Sequence, residues 1–153
     1  MAHFVVVGAG QAGSSLVAKL RSQGFDGEIT LIGAEPVPPY QRPPLSKAYL
    51  LGDMGVERLF FRPEAFYADH DITLQRGVAV TAIDTAMRRV NLADGSHVSY
   101  DKLALTTGAS PRHLPASIGG DLAGVYAMRS LADADAIAPE FRQSARLLIV
   151  GGG

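Results

Sequence analysis

Three glycines at positions 8, 10 and 13, an acid at position 35 and two cations at positions 42 and 47 are the residues of this chain whose types and spacing could do chemistry. Gly8-x-Gly10-x-x-Gly13 follows a nearly all-apolar run (positions 3–7) and precedes a segment with helical spacing. In that setting the first glycine permits a tight turn. The second lets the backbone approach a pyrophosphate, and the third lets helix and sheet pack closely. A helix N-terminus at this point would offer unpaired N–H groups and a partial positive charge to phosphates. Glu35, just past a second apolar run, stands where a carboxylate accepts hydrogen bonds from adenosine ribose hydroxyls and opposes a ribose 2′-phosphate. FAD or NAD therefore fits better than NADP, and the motif alone does not separate the first two.

The elements that must position these residues are legible from periodicity. Residues 3–7 read as a buried parallel strand. Residues 12–22 read as a helix, with Leu16, Val17 and Leu20 on one face and Gly24 closing it. Residues 28–32 read as a second strand, which completes a right-handed βαβ unit. Five prolines between positions 35 and 44 exclude helix and predict a rigid, extended connection. Such a frame could hold Arg42 and Lys47 toward one ligand. The fork of Arg42 suits a pyrophosphate, and Lys47 suits the ring of a reduced flavin, whose negative charge a cation stabilises. Two ordinary surface charges are the alternative.

Short helices are predicted over 46–51, with Ser46 as N-cap, and over 63–70, with Pro63 in its first turn. From Thr73 the texture changes. Residues 78–83, 89–92 and 97–98 read as short strands, and Asp94-Gly95 is a hairpin signal, so a small antiparallel meander is expected. Residues 102–106 suit a strand returning to the main sheet, 111–124 a turn-rich linker, and 131–141 a helix interrupted by Pro139. Residues 146–150 suggest a buried strand running into Gly151-Gly152-Gly153, the opening of a second nucleotide-binding unit in a longer protein; a flexible tail after an edge strand is the alternative.

Composition narrows the function classes. Net charge is −1, and nothing basic points to nucleic acid. No apolar run reaches the length of a membrane span. With no basic segment ahead of the first strand, a cytoplasmic address is expected. The chain has no cysteine, which excludes disulfides, thiolate metal sites and a redox dithiol within it.

The segment "PYQRPPLSKAYL" (residues 39–50) resembles a signature of the FAD-dependent NAD(P)H:ferredoxin reductases that serve bacterial cytochrome P450s and aromatic-ring oxygenases, the putidaredoxin-reductase-like flavoproteins. "LFFRPEAFY" (59–67), "ALTTGASPR" (104–112), "YAMRSLADA" (126–134) and "LLIVGGG" (147–153) are similar to further blocks of that family in the same order. The resemblance implies an α/β fold: a Rossmann-type parallel sheet with an inserted antiparallel β-meander, the N-terminal part of a flavoprotein with two dinucleotide-binding domains. It implies residues 1–110 as the first half of an FAD domain, and 111–153 as a linker and the start of an NAD domain. FAD would be held tightly and non-covalently, with NADH or NADPH as co-substrate and a [2Fe-2S] ferredoxin as single-electron acceptor. No catalytic side chain is implied. The resemblance also places Ala12 on the phosphate-binding turn, Val80 against the adenine, Thr107 and Gly108 over the pyrophosphate, and Arg129 against the flavin. Read from the residues alone, Val80 is a core strand residue and Arg129 a surface charge. Some relatives carry an acid where this chain has Ala34, and the ribose contact is assigned here to Glu35. Relatives with other acceptors, rubredoxin or nitrite-reductase-type NADH reductases and apoptosis-inducing-factor-like flavoproteins, are the alternatives, as is a colourless NAD-binding domain. Thiol-dependent relatives place cysteines near the flavin where this chain has Pro-Leu-Ser-Lys (44–47), so electrons would leave for an external acceptor.

Overall fold

The structure is a computed structural model, and it describes residues 1–151. The chain divides into two compact units. The first comprises Met1–Gln41 and Val56–Ala109; the second comprises Arg42–Gly55 and Ser110–Gly153.

The first unit is built on a parallel sheet. Strand β1 (His3–Val7) leads through Gly8-Ala9-Gly10 into helix α1 (Gln11–Ser22), and β2 (Glu28–Gly33) returns beside β1. A short helix α2 (Ala65–Asp69) precedes β3 (Ile72–Arg76), which pairs in parallel with β2. Strands β4 (Val80–Asp84), β5 (Arg89–Leu92) and β6 (His97–Ser99) form a separate antiparallel sheet, and β7 (Lys102–Leu105) then pairs in parallel with β1. The parallel sheet runs β3-β2-β1-β7. This is the expected α/β architecture with an inserted meander.

Side-chain alternation shows why the meander is needed. Successive strand residues face opposite sides of a sheet. Val6, Ile29 and Leu31 pack with Val17 of α1, Tyr67 of α2 and Ile72 on one face. Val5, Val7 and Ile32 pack with Val90 and Leu92 of β5 on the other. An antiparallel sheet thus covers the face where a doubly wound fold would place more helices, and it buries apolar residues of β1 and β2 on both faces.

Arg21 locks the C-terminal end of α1. Its guanidinium donates to the carbonyls of Phe25 and Gly27 at 2.7 and 2.8 Å and to those of His70 and Asp71 at 2.8 and 2.6 Å. One planar fork therefore ties the α1–β2 turn to the α2–β3 turn.

Several local expectations are corrected. Strand β3 is an edge strand of the parallel sheet, where no strand was expected. Residues 46–51 are not a helix capped by Ser46. A 3-10 turn, Pro43–Ser46, precedes them, followed by hydrogen-bonded turns that end at Gly52 with φ +79°. The proline pair starts the turn earlier, where its missing N–H groups cost nothing. The helix expected over 63–70 is shorter, Ala65–Asp69, with a turn from Pro63 to Phe66 before it.

In the second unit, α3 (Leu131–Ile137) gives way at Ala138 to a 3-10 turn containing Pro139. Ser130 accepts from the Asp133 N–H at its start, and the Asp133 carboxylate accepts from the Ser130 N–H, which closes a capping box. Residues 146–150 form no strand; Leu147, Leu148, Ile149 and Val150 are 63–87% exposed. An apolar run becomes a strand only against a partner ladder, and no strand of the described residues lies beside this one. The Gly152-Gly153 part of the expected second nucleotide motif lies outside the described residues.

Candidate dinucleotide site

β1 has β2 on one side and β7 on the other, so the order of strands reverses at β1. In open parallel sheets ligands bind outside the carboxyl ends of the strands at such a reversal. Gly8, Gly10, Ala12 and Gly13 lie there, between the end of β1 and the first turn of α1. Thr107 and Gly108 follow β7 at the same edge. Glu35 stands two residues past the end of β2, whose last residue, Gly33, comes close to Ala9: a Cβ on Gly33 would lie 2.5 Å from that of Ala9.

The three motif glycines answer to different demands. Gly8 has φ +112°, and a Cβ on it would lie 2.2 Å from the Thr106 carbonyl oxygen. A Cβ on Gly13 would lie 2.1 Å from the Gly8 carbonyl oxygen and 3.0 Å from Leu31 Cδ1. The fold itself requires both glycines. Gly10 is different. Its φ of −95° and ψ of −163° suit any residue, and a Cβ there would meet nothing within 4 Å. Neither backbone nor packing asks for glycine at position 10; a ligand drawn close to the backbone would.

The start of α1 fits an anion. Gly10 supplies no side-chain cap, and the first turn holds no acidic residue. Its leading N–H groups thus lack the usual side-chain acceptor, and they face the direction in which the helix dipole favours negative charge. Thr106 holds the turn. Its hydroxyl donates to the Gly8 carbonyl at 2.8 Å and its N–H to the Val7 carbonyl at 2.8 Å. Thr107, which the family resemblance places over the pyrophosphate, is exposed.

Behind the turn, Ser14 is buried beside Tyr67, with their hydroxyls 3.1 Å apart, and Arg62 donates to Ser14 at 3.2 Å. Burial pushes the Tyr67 phenol pKa up, against the opposing pull of the Ser14 hydrogen bond and the Arg62 charge. The Arg62 guanidinium also lies over the Phe66 ring, 4.9 Å from its centre.

Glu35 is half-buried, and its carboxylate accepts a 2.6 Å hydrogen bond from Tyr40. Val80 is partly buried and packs on the cluster formed by Val5, Val7 and Ile32.

Arg42, Lys47 and Arg129 belong to the second unit. Arg42 donates to the Arg129 carbonyl at 2.6 Å, and both line a cavity of about 270 Å³ with Pro43, Leu45, Ser46 and Met128. Lys47 is exposed and donates to the Pro43 carbonyl at 3.3 Å. The backbone N–H of Arg129 donates to Asp133, whose carboxyl is held below its usual range: burial opposes ionisation, and the hydrogen bonds from Ser130 and Arg129 outweigh it.

No group of three or more potential metal ligands gathers among the described residues, and no helix among them is long and apolar enough to cross a membrane.

Residues 2–153 match the family model described as pyridine nucleotide-disulphide oxidoreductase. The chain belongs to that family. It is 45% identical over 149 residues to a ferredoxin--NAD(P)(+) reductase of Sphingomonas sp, a match spanning 97% of this chain and 36% of that protein. It is 40% identical over 149 residues to a rubredoxin-NAD(+) reductase of Ectopseudomonas oleovorans, spanning 97% of this chain and 38% of that one. The solved structure of a covalent putidaredoxin reductase-putidaredoxin complex superposes with a TM-score of 0.83 at 41% identity, over 90% of this chain and 34% of the other. The chain thus spans roughly a third of the length of these relatives. Unlike the disulphide in the family's description, this chain has no cysteine.

Proposed function

We propose that this chain forms the first half of the FAD site of a flavoprotein reductase that takes electrons from NADH or NADPH and passes them to a [2Fe-2S] ferredoxin serving an oxygenase. The observation that carries the reading is Gly10. It is a glycine with no conformational or packing reason to be one, at an uncapped helix start, where the strand order reverses.

In this proposal the α1 N-terminus and Gly10 receive the pyrophosphate, with Ala12, Thr107 and Gly108 around it. Gly8 and Gly13 keep the turn tight enough to offer its N–H groups. Glu35 accepts from the adenosine ribose hydroxyls, and the Val80 backbone meets the adenine. Arg42 adds a bidentate cation for the pyrophosphate, while Lys47 and Arg129 supply positive charge to the flavin. FAD, when bound, supplies the conversion of a two-electron hydride donor into single electrons. No side chain of this segment is assigned as acid or base. With no thiol in the chain, the acceptor is external. A cytoplasmic location, where nicotinamide donors are regenerated, belongs to the same proposal.

The test is steady-state reduction of a [2Fe-2S] ferredoxin by the full-length protein with NADH and with NADPH. Many turnovers per second support the reading. Rapid reduction of rubredoxin with none of ferredoxin would favour the second reading, that of a rubredoxin reductase, which the 40% identity to such an enzyme motivates. A flavin that is reduced once and then stalls with every acceptor would refute both.

A further inference from the structure

Tyr40 sits in the proline-rich segment between the two cations and the ribose acid, and no role has so far been assigned to it. Its ring is buried, at 5% exposure. Its hydroxyl donates to Glu35 Oε2 at 2.6 Å, within the short range of a bond to an ionised carboxylate.

The backbones carrying the two partners are fixed separately. Tyr40 makes an antiparallel bridge with Phe60; the Gln41 N–H donates to the Leu59 carbonyl at 2.9 Å and the Phe61 N–H to the Pro39 carbonyl at 3.0 Å. The preceding Pro39 is fully buried. On the other side, the Gly77 N–H donates to the Glu35 carbonyl at 3.1 Å, and the Val78 N–H to the Gly33 carbonyl at 3.2 Å. Ordering a glutamate side chain at the moment of binding costs affinity.

We propose that Tyr40 is a positioning residue for adenosine recognition: it holds the Glu35 carboxylate in the orientation that accepts from the ribose 2′- and 3′-hydroxyls. A carboxylate offers about four acceptor sites, so the bond from Tyr40 is compatible with bonds from a ribose. A negative charge fixed in place also opposes a 2′-phosphate more strongly than a mobile one. The inference rests on the proposal that Glu35 faces the ribose of FAD.

Tyr40→Phe keeps the buried ring and removes only the hydroxyl. The full-length protein, stripped of FAD, is titrated by flavin fluorescence with FAD and with the analogue whose adenosine lacks the 2′- and 3′-hydroxyls. Tyr40→Phe is expected to raise the Kd for FAD about tenfold and that for the analogue less than about twofold, because the analogue presents nothing for Glu35 to hold. In a Glu35→Ala background Tyr40→Phe is expected to change the FAD Kd by less than about twofold, since effects that act through one contact do not add. Equal losses for both ligands, or an undiminished loss in the Glu35→Ala background, would make Tyr40 a structural residue and overturn the inference. FAD binding that falls with Glu35→Ala and is indifferent to Tyr40→Phe would overturn this inference alone. Wild-type protein that takes up neither ligand would overturn the cofactor reading with it.

Discussion

Placing a methyl group on Gly8 and on Gly10 should have opposite consequences, although the residues are two positions apart in one turn. At Gly8 an alanine must adopt φ +112°, with its Cβ 2.2 Å from the Thr106 carbonyl oxygen. The backbone strain costs about 1–3 kcal/mol. Displacing the end of β7 adds about 1–3 kcal/mol more. Together these remove a large share of a domain stability of about 5–15 kcal/mol. At Gly10 the alanine has an ordinary backbone conformation and meets no atom within 4 Å. Losing glycine as N-cap costs up to about 1 kcal/mol, and the stiffer unfolded chain returns about 0.4–1 kcal/mol. The net effect on the apo fold is therefore close to zero. The same methyl would stand where the pyrophosphate approaches, and crowding of about 1–3 kcal/mol there weakens FAD about 5- to 150-fold. The assay pairs urea unfolding of the FAD-free full-length protein with a fluorescence titration of FAD. Gly8→Ala should shift the unfolding midpoint strongly; Gly10→Ala should leave it and lose FAD. A Gly10→Ala protein that binds FAD as tightly as wild type, or that unfolds as readily as Gly8→Ala, would refute the reasoning.

Three further outcomes are expected. Ser14→Ala strands the buried Tyr67 hydroxyl and should cost about 1–3 kcal/mol in urea unfolding, whereas the double change with Tyr67→Phe should recover part of that loss; strictly additive costs would argue against the pairing. Arg21→Lys keeps the charge and cannot reach four carbonyls from a planar fork, so a loss of about 1–3 kcal/mol is expected, and unchanged stability would show the clamp to be incidental. The Asp133 carboxyl titrates below its ordinary value when folded, so its contribution to α3 is fully present above the unfolded carboxylate pKa and is lost as pH falls through the folded one; Ser130→Ala should raise the Asp133 pKa toward the ordinary value by NMR titration and cost about 1 kcal/mol, and an Asp133 pKa that does not move would contradict the capping box.

The β1-α1-β2 unit was legible because each part carries its own signal: a continuous apolar run for a strand buried on both faces, helical spacing, and glycines at the turns. The meander was legible from short runs around Asp94-Gly95. Strand β3 was not, because an edge strand buries less, and its Thr73, Gln75 and Arg76 dilute the pattern. Residues 146–150 were over-read for the opposite reason: hydropathy reports a preference for burial, but a strand also needs a neighbour to pair with. The positions of the motif glycines followed from the pattern. So did the general role of each; the distances that make glycine obligatory at Gly8 and Gly13, and leave Gly10 open, are set only once Thr106 and Leu31 are in place. Tyr40 escaped notice because an aromatic among prolines reads as filler, and its bond to Glu35 exists only after the Phe60 bridge has set its backbone.

The central claim is that the glycine turn at the carboxyl end of β1 belongs to an FAD site fed by a nicotinamide donor. A visible absorption spectrum of the full-length protein, taken before and after anaerobic NADH or NADPH, tests it most directly. The account predicts a yellow protein whose oxidised-flavin bands bleach on addition of one of the donors. A colourless protein that stays so after FAD is offered would contradict it and leave a nucleotide-binding fold without a flavin.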